Sequence, residues 1–139
     1  MKKSLTVKAE SENLREVTEF VENMLVEKGC PEEAHSVIAI VLEEIFINIA
    51  SYAYSKEDGR EDNTAQIECE ITDDGTVQLT FIDNGVRYNP LEKRDPLINA
   101  AVEERQIGGL GIYMVKNMVD QMVYEYKDGK NILKIEKVF

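Results

Sequence analysis

Three short groups of residues carry types and spacings that can do chemistry. The first is Glu44-Ile45-Phe46-Ile47-Asn48. Between Ser36 and Tyr54 the only charged residues are Glu43 and Glu44. On a helix Asn48 lies one turn beyond Glu44, so the carboxylate and the carboxamide share a face. A carboxylate among apolar neighbours must find partners, ionise less readily or face a polar cavity. Beside a carboxamide it can help hold a hydrated cation and activate a hydroxyl. The plainer reading sends Glu43 and Glu44 to solvent and leaves Asn48 as a cap. The second group is Asp83-Asn84-Gly85, which follows an apolar strand pattern. It is good turn chemistry, or it sets an acceptor at a strand end where an exocyclic amine can be read. The third is Gly108-Gly109-Leu110-Gly111 ahead of a helical pattern. Glycines allow close backbone approach to phosphates, and a helix N-terminus favours anions. No Gly-Lys-Ser/Thr follows, so this is not a Walker A loop, and the spacing is not GxGxxG.

The scarce residues narrow the chemistry further. One histidine, His35, would have to carry any histidine-based triad or zinc site alone. Cys30 and Cys69 are the only cysteines and form no CxxC, which excludes a disulfide framework and a cysteine-rich zinc site. Two isolated thiols suit a reducing compartment, and the expected location is the cytoplasm. The net charge of −11 argues against binding a nucleic-acid backbone or an anionic membrane. No apolar core follows Lys2 and Lys3, so the start does not read as a signal peptide. Two acids at the centre of the apolar 36–54 stretch argue against a membrane span.

These groups need elements to position them. The 139 residues suffice for one domain with its own core. Residues 4–9 alternate as a first strand. Leu14, Val17, Val21, Met24 and Leu25 recur at helical spacing, with Ser11 as expected cap and Gly29 as stop. Pro31 suits the first turn of a second helix running to about Tyr54, apolar nearly all round and so expected to be mostly buried. Residues 55–63 are a charged loop. The period then becomes two on either side of Asp73-Asp74-Gly75, a hairpin. A connection over 86–107, with a short helix near 97–104, is long enough to be a functional lid. A third helix runs from Gly108 to about Gln121, and residues 122–127 and 131–138 form a second hairpin around Asp128-Gly129-Lys130. The expected fold class is α+β: a two-layer sandwich of a mixed, mostly antiparallel sheet with helices on one face.

In that order, the acid–Asn helix, the strand-end Asp-x-Gly, the lid-length loop and the glycine-rich helix start resemble the Bergerat-fold (GHKL) ATPases, the group that includes the histidine kinases. The likeness covers nearly the whole chain. Within the group the sequence is most similar to the anti-sigma-factor serine/threonine kinases, through Asp83-Asn84-Gly85-Val86-Arg87-Tyr88-Asn89-Pro90-Leu91 and Tyr124-x-x-x-x-Gly129-x-Asn131-x-Leu133. The resemblance implies ATP and Mg²⁺ as cofactors. Asp83 would accept from the adenine amine, Asn48 would ligate Mg²⁺, and Glu44 would be the general base on a serine hydroxyl. Gly85 would let the base lie against the backbone. Gly108, Gly109, Leu110 and Gly111 would wrap the phosphates, Arg105 would reach the terminal phosphate, and Asn131 would stand near the adenine. It also implies two partners, a sigma factor and a small anti-anti-sigma (STAS-type) protein, and a homodimer. The sequence departs from the family pattern at Arg87, where a second glycine is frequent, and at Tyr52-Ala53, where a His-Gly pair is frequent. A non-catalytic, ATP-gated binding switch of the same fold is the alternative. It needs Asp83 and the glycines but no base.

Overall fold

The computed structural model describes residues 1–54, 63–92 and 109–139. Strand β1 (Lys2–Lys8) is followed by α1 (Leu14–Glu27), α2 (Glu32–Tyr52), β2 (Thr64–Ile71), β3 (Thr76–Asp83), α3 (Gly109–Met118), β4 (Gln121–Lys127) and β5 (Lys130–Val138). The strands form one sheet in the order β1-β2-β3-β5-β4, and all four pairings are antiparallel. The mixed sheet allowed by the sequence is therefore wholly antiparallel among the described residues. The chain leaves β3, lays β4 on the outer edge and returns β5 beside β3. That return sets Asp83 opposite Asn131.

The period-two pattern explains the sheet. Ala65, Ile67, Cys69 and Ile71 of β2 are buried, while Gln66, Glu68 and Glu70 between them are only half-buried. Against the apolar face pack Val17, Val21, Met24 and Leu25 of α1, Ile38, Val41, Leu42, Ile45 and Phe46 of α2, and Ile112 and Val115 of α3. α1 ends as Gly29 implied. Gly29 has φ +67°, its N–H donates to Val26 O at 3.0 Å, and the Cys30 N–H donates to Leu25 O at 3.0 Å, which is a Schellman closure. At the second hairpin Asp128 and Gly129 both have positive φ, 54° and 75°, as a type I′ turn requires.

Several boundaries differ from expectation. β1 starts at Lys2 rather than Ser4, because its backbone pairs along β2 as far as Lys2 opposite Glu70, beyond the apolar alternation. Ser11 does not cap α1. It opens a 3₁₀ turn, Ser11–Asn13, and the Asn13 side chain donates to Lys8 O at 2.9 Å. Pro31, with ψ 158°, stands before the first turn of α2 rather than inside it. α3 stops at Met118 because Gln121 already pairs in β4. α2 is not mostly buried: Ala34, Ile38, Val41, Leu42, Ile45 and Phe46 are inside, and Val37, Ile40 and Ile47 are half-buried. A two-layer domain covers one face of a helix, and Asn48, Ile49 and Tyr52 near the end of α2 line the cleft described next. Length and composition alone would let α2 cross a membrane, but its buried stripe belongs to the core.

Candidate functional site

Asp83 is the last residue of β3 and is 7% exposed. Its Oδ1 accepts from the Gly85 N–H at 3.0 Å and from Asn131 Nδ2 at 2.9 Å. Burial pushes the carboxyl above its ordinary value, and these two donors pull it part of the way back. Asp83 lies at the polar end of a cleft whose walls include Ile45 and Ile49 of α2, Phe81 of β3, Ile112 of α3 and Leu133 of β5. Apolar walls around one acceptor suit a flat aromatic base carrying an amine. The sheet supplies the acceptor, and two helices supply the walls.

Asn48 lines the same cleft from α2 and is half-buried. Glu44, one turn earlier, is half-buried and meets the start of α3. A Cβ on Gly111 would meet Glu44 Oε2, so the carboxylate can hold this position against α3 only beside a glycine. The carboxylate thus sits against the first turn of a helix, where unpaired N–H groups favour negative charge. Glu43, by contrast, is exposed. The two neighbouring acids have separate surroundings, which the sequence left open.

Gly85 has a structural reason to be glycine. A Cβ there would run into the Ala53 carbonyl at the end of α2, and the next N–H, from Val86, donates to that carbonyl at 2.9 Å. Gly109 and Leu110 enter as the first residues of α3. Gly108, Arg105, the 97–104 helix and most of the expected lid lie outside the described residues. At the beginning of the expected lid, Pro90–Glu92 forms a 3₁₀ turn, and Arg87 stands 5.2 Å from the centre of the Tyr126 ring on β4. That contact ties the chain just after β3 to β4.

Asn131 is 6% exposed and makes four hydrogen bonds. Nδ2 donates to Asp83 Oδ1 and to Val86 O, each at 2.9 Å. Oδ1 accepts from the Tyr88 N–H at 3.0 Å and from the Tyr124 hydroxyl at 2.5 Å. Sequence reasoning assigned no role to Tyr54, Tyr88 or Tyr124. The Tyr54 hydroxyl shares its one hydrogen between Thr64 O, at 2.5 Å, and Asn84 Oδ1, and accepts from the Asn84 N–H at 3.0 Å, so it steadies the residue after Asp83. Period-two alternation on β4 could have turned Tyr124 inward, but nothing local announces its partner.

The remaining reactive side chains lie elsewhere. His35 Nδ1 meets Glu22 Oε1 at 2.5 Å between α2 and α1. The Cys69 thiol is pushed up to about 12 by burial, and burial also raises Cys30. Neither is poised as a nucleophile.

A family model described as the histidine kinase-like ATPase domain matches residues 7–137. The serine-protein kinase RsbW of Listeria innocua is 23% identical over 109 residues, 76% of this chain and 67% of that protein. The serine/threonine-protein kinase BtrW of Bordetella bronchiseptica is 30% identical over 57 residues, 41% of this chain and 40% of its own length. A crystal structure of the RsbU and RsbW domains of a Mycobacterium tuberculosis protein superimposes over 99% of this chain and 32% of that one, with a TM-score of 0.66 at 15% identity, which is a likeness of fold. The cleft at the end of β3, walled by α2 and α3, thus occurs in a chain that matches the family model almost end to end, and the chain belongs to the histidine kinase-like ATPase domain family.

Proposed function

We propose that the chain is an ATP-dependent serine/threonine protein kinase of the anti-sigma type, which phosphorylates a small anti-anti-sigma (STAS-type) regulator and sequesters a sigma factor. The family supports ATP binding, and the two named relatives are protein kinases. The observation that carries the catalytic part is the seating of Glu44 against Gly111, beside the cleft that Asn48 and Asp83 share. A pure nucleotide switch needs no acid there. In this reading Asp83 accepts from the adenine amine, and the N-terminal turn of α3, through Gly109 and Gly111, faces the phosphates. Among the described residues no three His, Cys, Asp or Glu side chains gather into a metal cage. Asn48 offers a neutral oxygen, which fits a Mg²⁺ held mainly by phosphate oxygens and water. The metal would neutralise phosphate charge, while Glu44 orients the serine hydroxyl and takes its proton. Arg105 and Gly108 complete the phosphate side in the same proposal, and a cytoplasmic homodimer is its expected form.

The test is Glu44→Gln, which keeps the shape of the side chain but cannot take a proton. ATP affinity should stay within about two-fold, while single-turnover transfer to a partner serine falls ~10²–10⁴-fold, the usual worth of a general base. A variant that transfers at the wild-type rate would leave the ATP-gated switch as the function.

A further inference from the structure

We propose that Asn131 is the positioning residue of the base pocket: it holds Asp83 through Oδ1, ties the backbone at Val86 and Tyr88 to the sheet, and thereby sets the preference for adenine over guanine. The proposal rests on the reading of Asp83 as the base acceptor.

Its ground is a count of hydrogen bonds. A carboxamide has two hydrogens to donate and two lone pairs that accept. Asn131 uses all four, on Asp83 Oδ1, Val86 O, the Tyr88 N–H and the Tyr124 hydroxyl. The amide orientation follows from its partners, since a carbonyl only accepts and a backbone N–H only donates. Asn131 therefore has no hydrogen left for a nucleotide and must act through Asp83. On Asp83, Oδ1 already takes two N–H donors. The geometry points to Oδ2 as the oxygen that meets the base. Held as an acceptor, that oxygen pairs with the adenine amine and opposes the guanine carbonyl. The bonds to Val86 and Tyr88 fix the mouth of the same cleft, whose lining includes both residues.

Asn131→Asp tests this. It keeps the side-chain shape and the acceptor for Tyr88 and Tyr124, but sets a second carboxylate against Asp83. Two such acids do not both stay ionised, and with Oδ1 no longer held by the Asn131 amide the Asp83 carboxyl can carry its proton on Oδ2, where it donates to the guanine carbonyl and opposes the adenine amine. ATP affinity should fall at least ten-fold with GTP affinity falling less, so the ATP:GTP preference drops. A folded variant with the wild-type preference overturns the proposal. If the variant does not fold, the wild-type protein still decides: the Asn131 side-chain amide hydrogens and the Tyr88 amide should exchange slowly with solvent in the nucleotide-free state. Fast exchange at both overturns the proposal. Asp83→Asn in the same titrations separates the two layers. If it too keeps ATP affinity, the pocket reading itself fails. If it loses ATP while Asn131→Asp keeps the preference, only the role of Asn131 fails.

Discussion

Asp83 is a carboxylate held where burial disfavours its charge, with two donors on one oxygen and the other turned to the cleft in our reading. Because its folded value lies above the ordinary one, the folded state binds the proton more tightly than the unfolded chain does. Its contribution to stability is present below the ordinary carboxylate range and is lost as pH rises through the raised value. At neutral pH the ionised group therefore costs stability. Asp83→Asn keeps an oxygen for Gly85 and Asn131 and removes that charge, so it should unfold at the same or a higher denaturant concentration. It should also bind ATP at least ten-fold more weakly, since an amide hydrogen would face the adenine amine, an opposed contact worth ~1–3 kcal/mol. Lower stability together with unchanged ATP affinity would contradict both halves. The Glu44–Gly111 contact makes a second prediction at this scale. Gly111→Ala should displace the Glu44 carboxylate at little cost in stability, because the new methyl group meets only the far end of a flexible side chain. In a Glu44→Ala background it should be neutral or stabilising, since alanine favours a helix over glycine by about 1 kcal/mol. A double-mutant cycle in denaturant measures the difference, and additive costs would remove the contact as the reason for the glycine. Glu44 and Asp83 stood out as candidates because a helical or strand period makes an acid among apolar residues conspicuous, and Asn48 followed as the polar residue one turn from Glu44. The Asn131 network was not, because its partners stand 7 to 48 residues away: Asp83 opposite it in the β3–β5 register, Tyr124 on β4, and Val86 and Tyr88 beyond the end of β3.

Elements were legible where local chemistry decides them. Gly29 stopped α1, Asp128-Gly129 turned the second hairpin, and alternation marked β2 and β3. Errors came where pairing partners decide. Lys2 and Lys3 join β1 because β2 extends beside them, and Gln121 leaves the α3 pattern because β5 claims it. α2 was misjudged for the same kind of reason, since its sequence describes a helix apolar all round and only the two-layer architecture says which face is covered. The end of α2 also shows how elements share one contact. Ala53 O accepts from Val86 and leaves no room for a Cβ on Gly85, so the helix end and the strand end are locked together beside Asp83. Gly85→Ala should break that lock. Its expected cost is ~1–3 kcal/mol of overpacking, read as a lower denaturation midpoint at constant slope, with weaker ATP binding. A variant with the wild-type midpoint would show that the helix end yields freely.

For the molecule as a whole, the cleft joins α2, β3, α3 and β5, so a ligand seated there holds the sheet layer and the helix layer together. A ligand bound only by the folded state stabilises it by about 2.7 kcal/mol at a hundred-fold excess over Kd. For a domain of this size that is a rise in melting temperature of roughly 8–13 °C. The protein carries a net charge of −11 and ATP is also an anion, so the field of the whole molecule opposes the approach of ATP. Attraction must therefore come from groups within the cleft and from a cation that arrives with the phosphates. Two results should follow. ATP with Mg²⁺ should raise the melting temperature more than ATP with a chelator. Raising salt from about 20 to about 200 mM should leave the ATP–Mg²⁺ shift unchanged or enlarge it, because screening weakens the long-range repulsion more than the short-range contacts. A basic-surface binder shows the opposite, losing affinity steeply over the same range. A shift that collapses with salt would place the nucleotide on surface cations rather than in the cleft. An absent shift at saturating ATP and Mg²⁺ would remove nucleotide binding from this chain, and with it the kinase reading and the switch reading together.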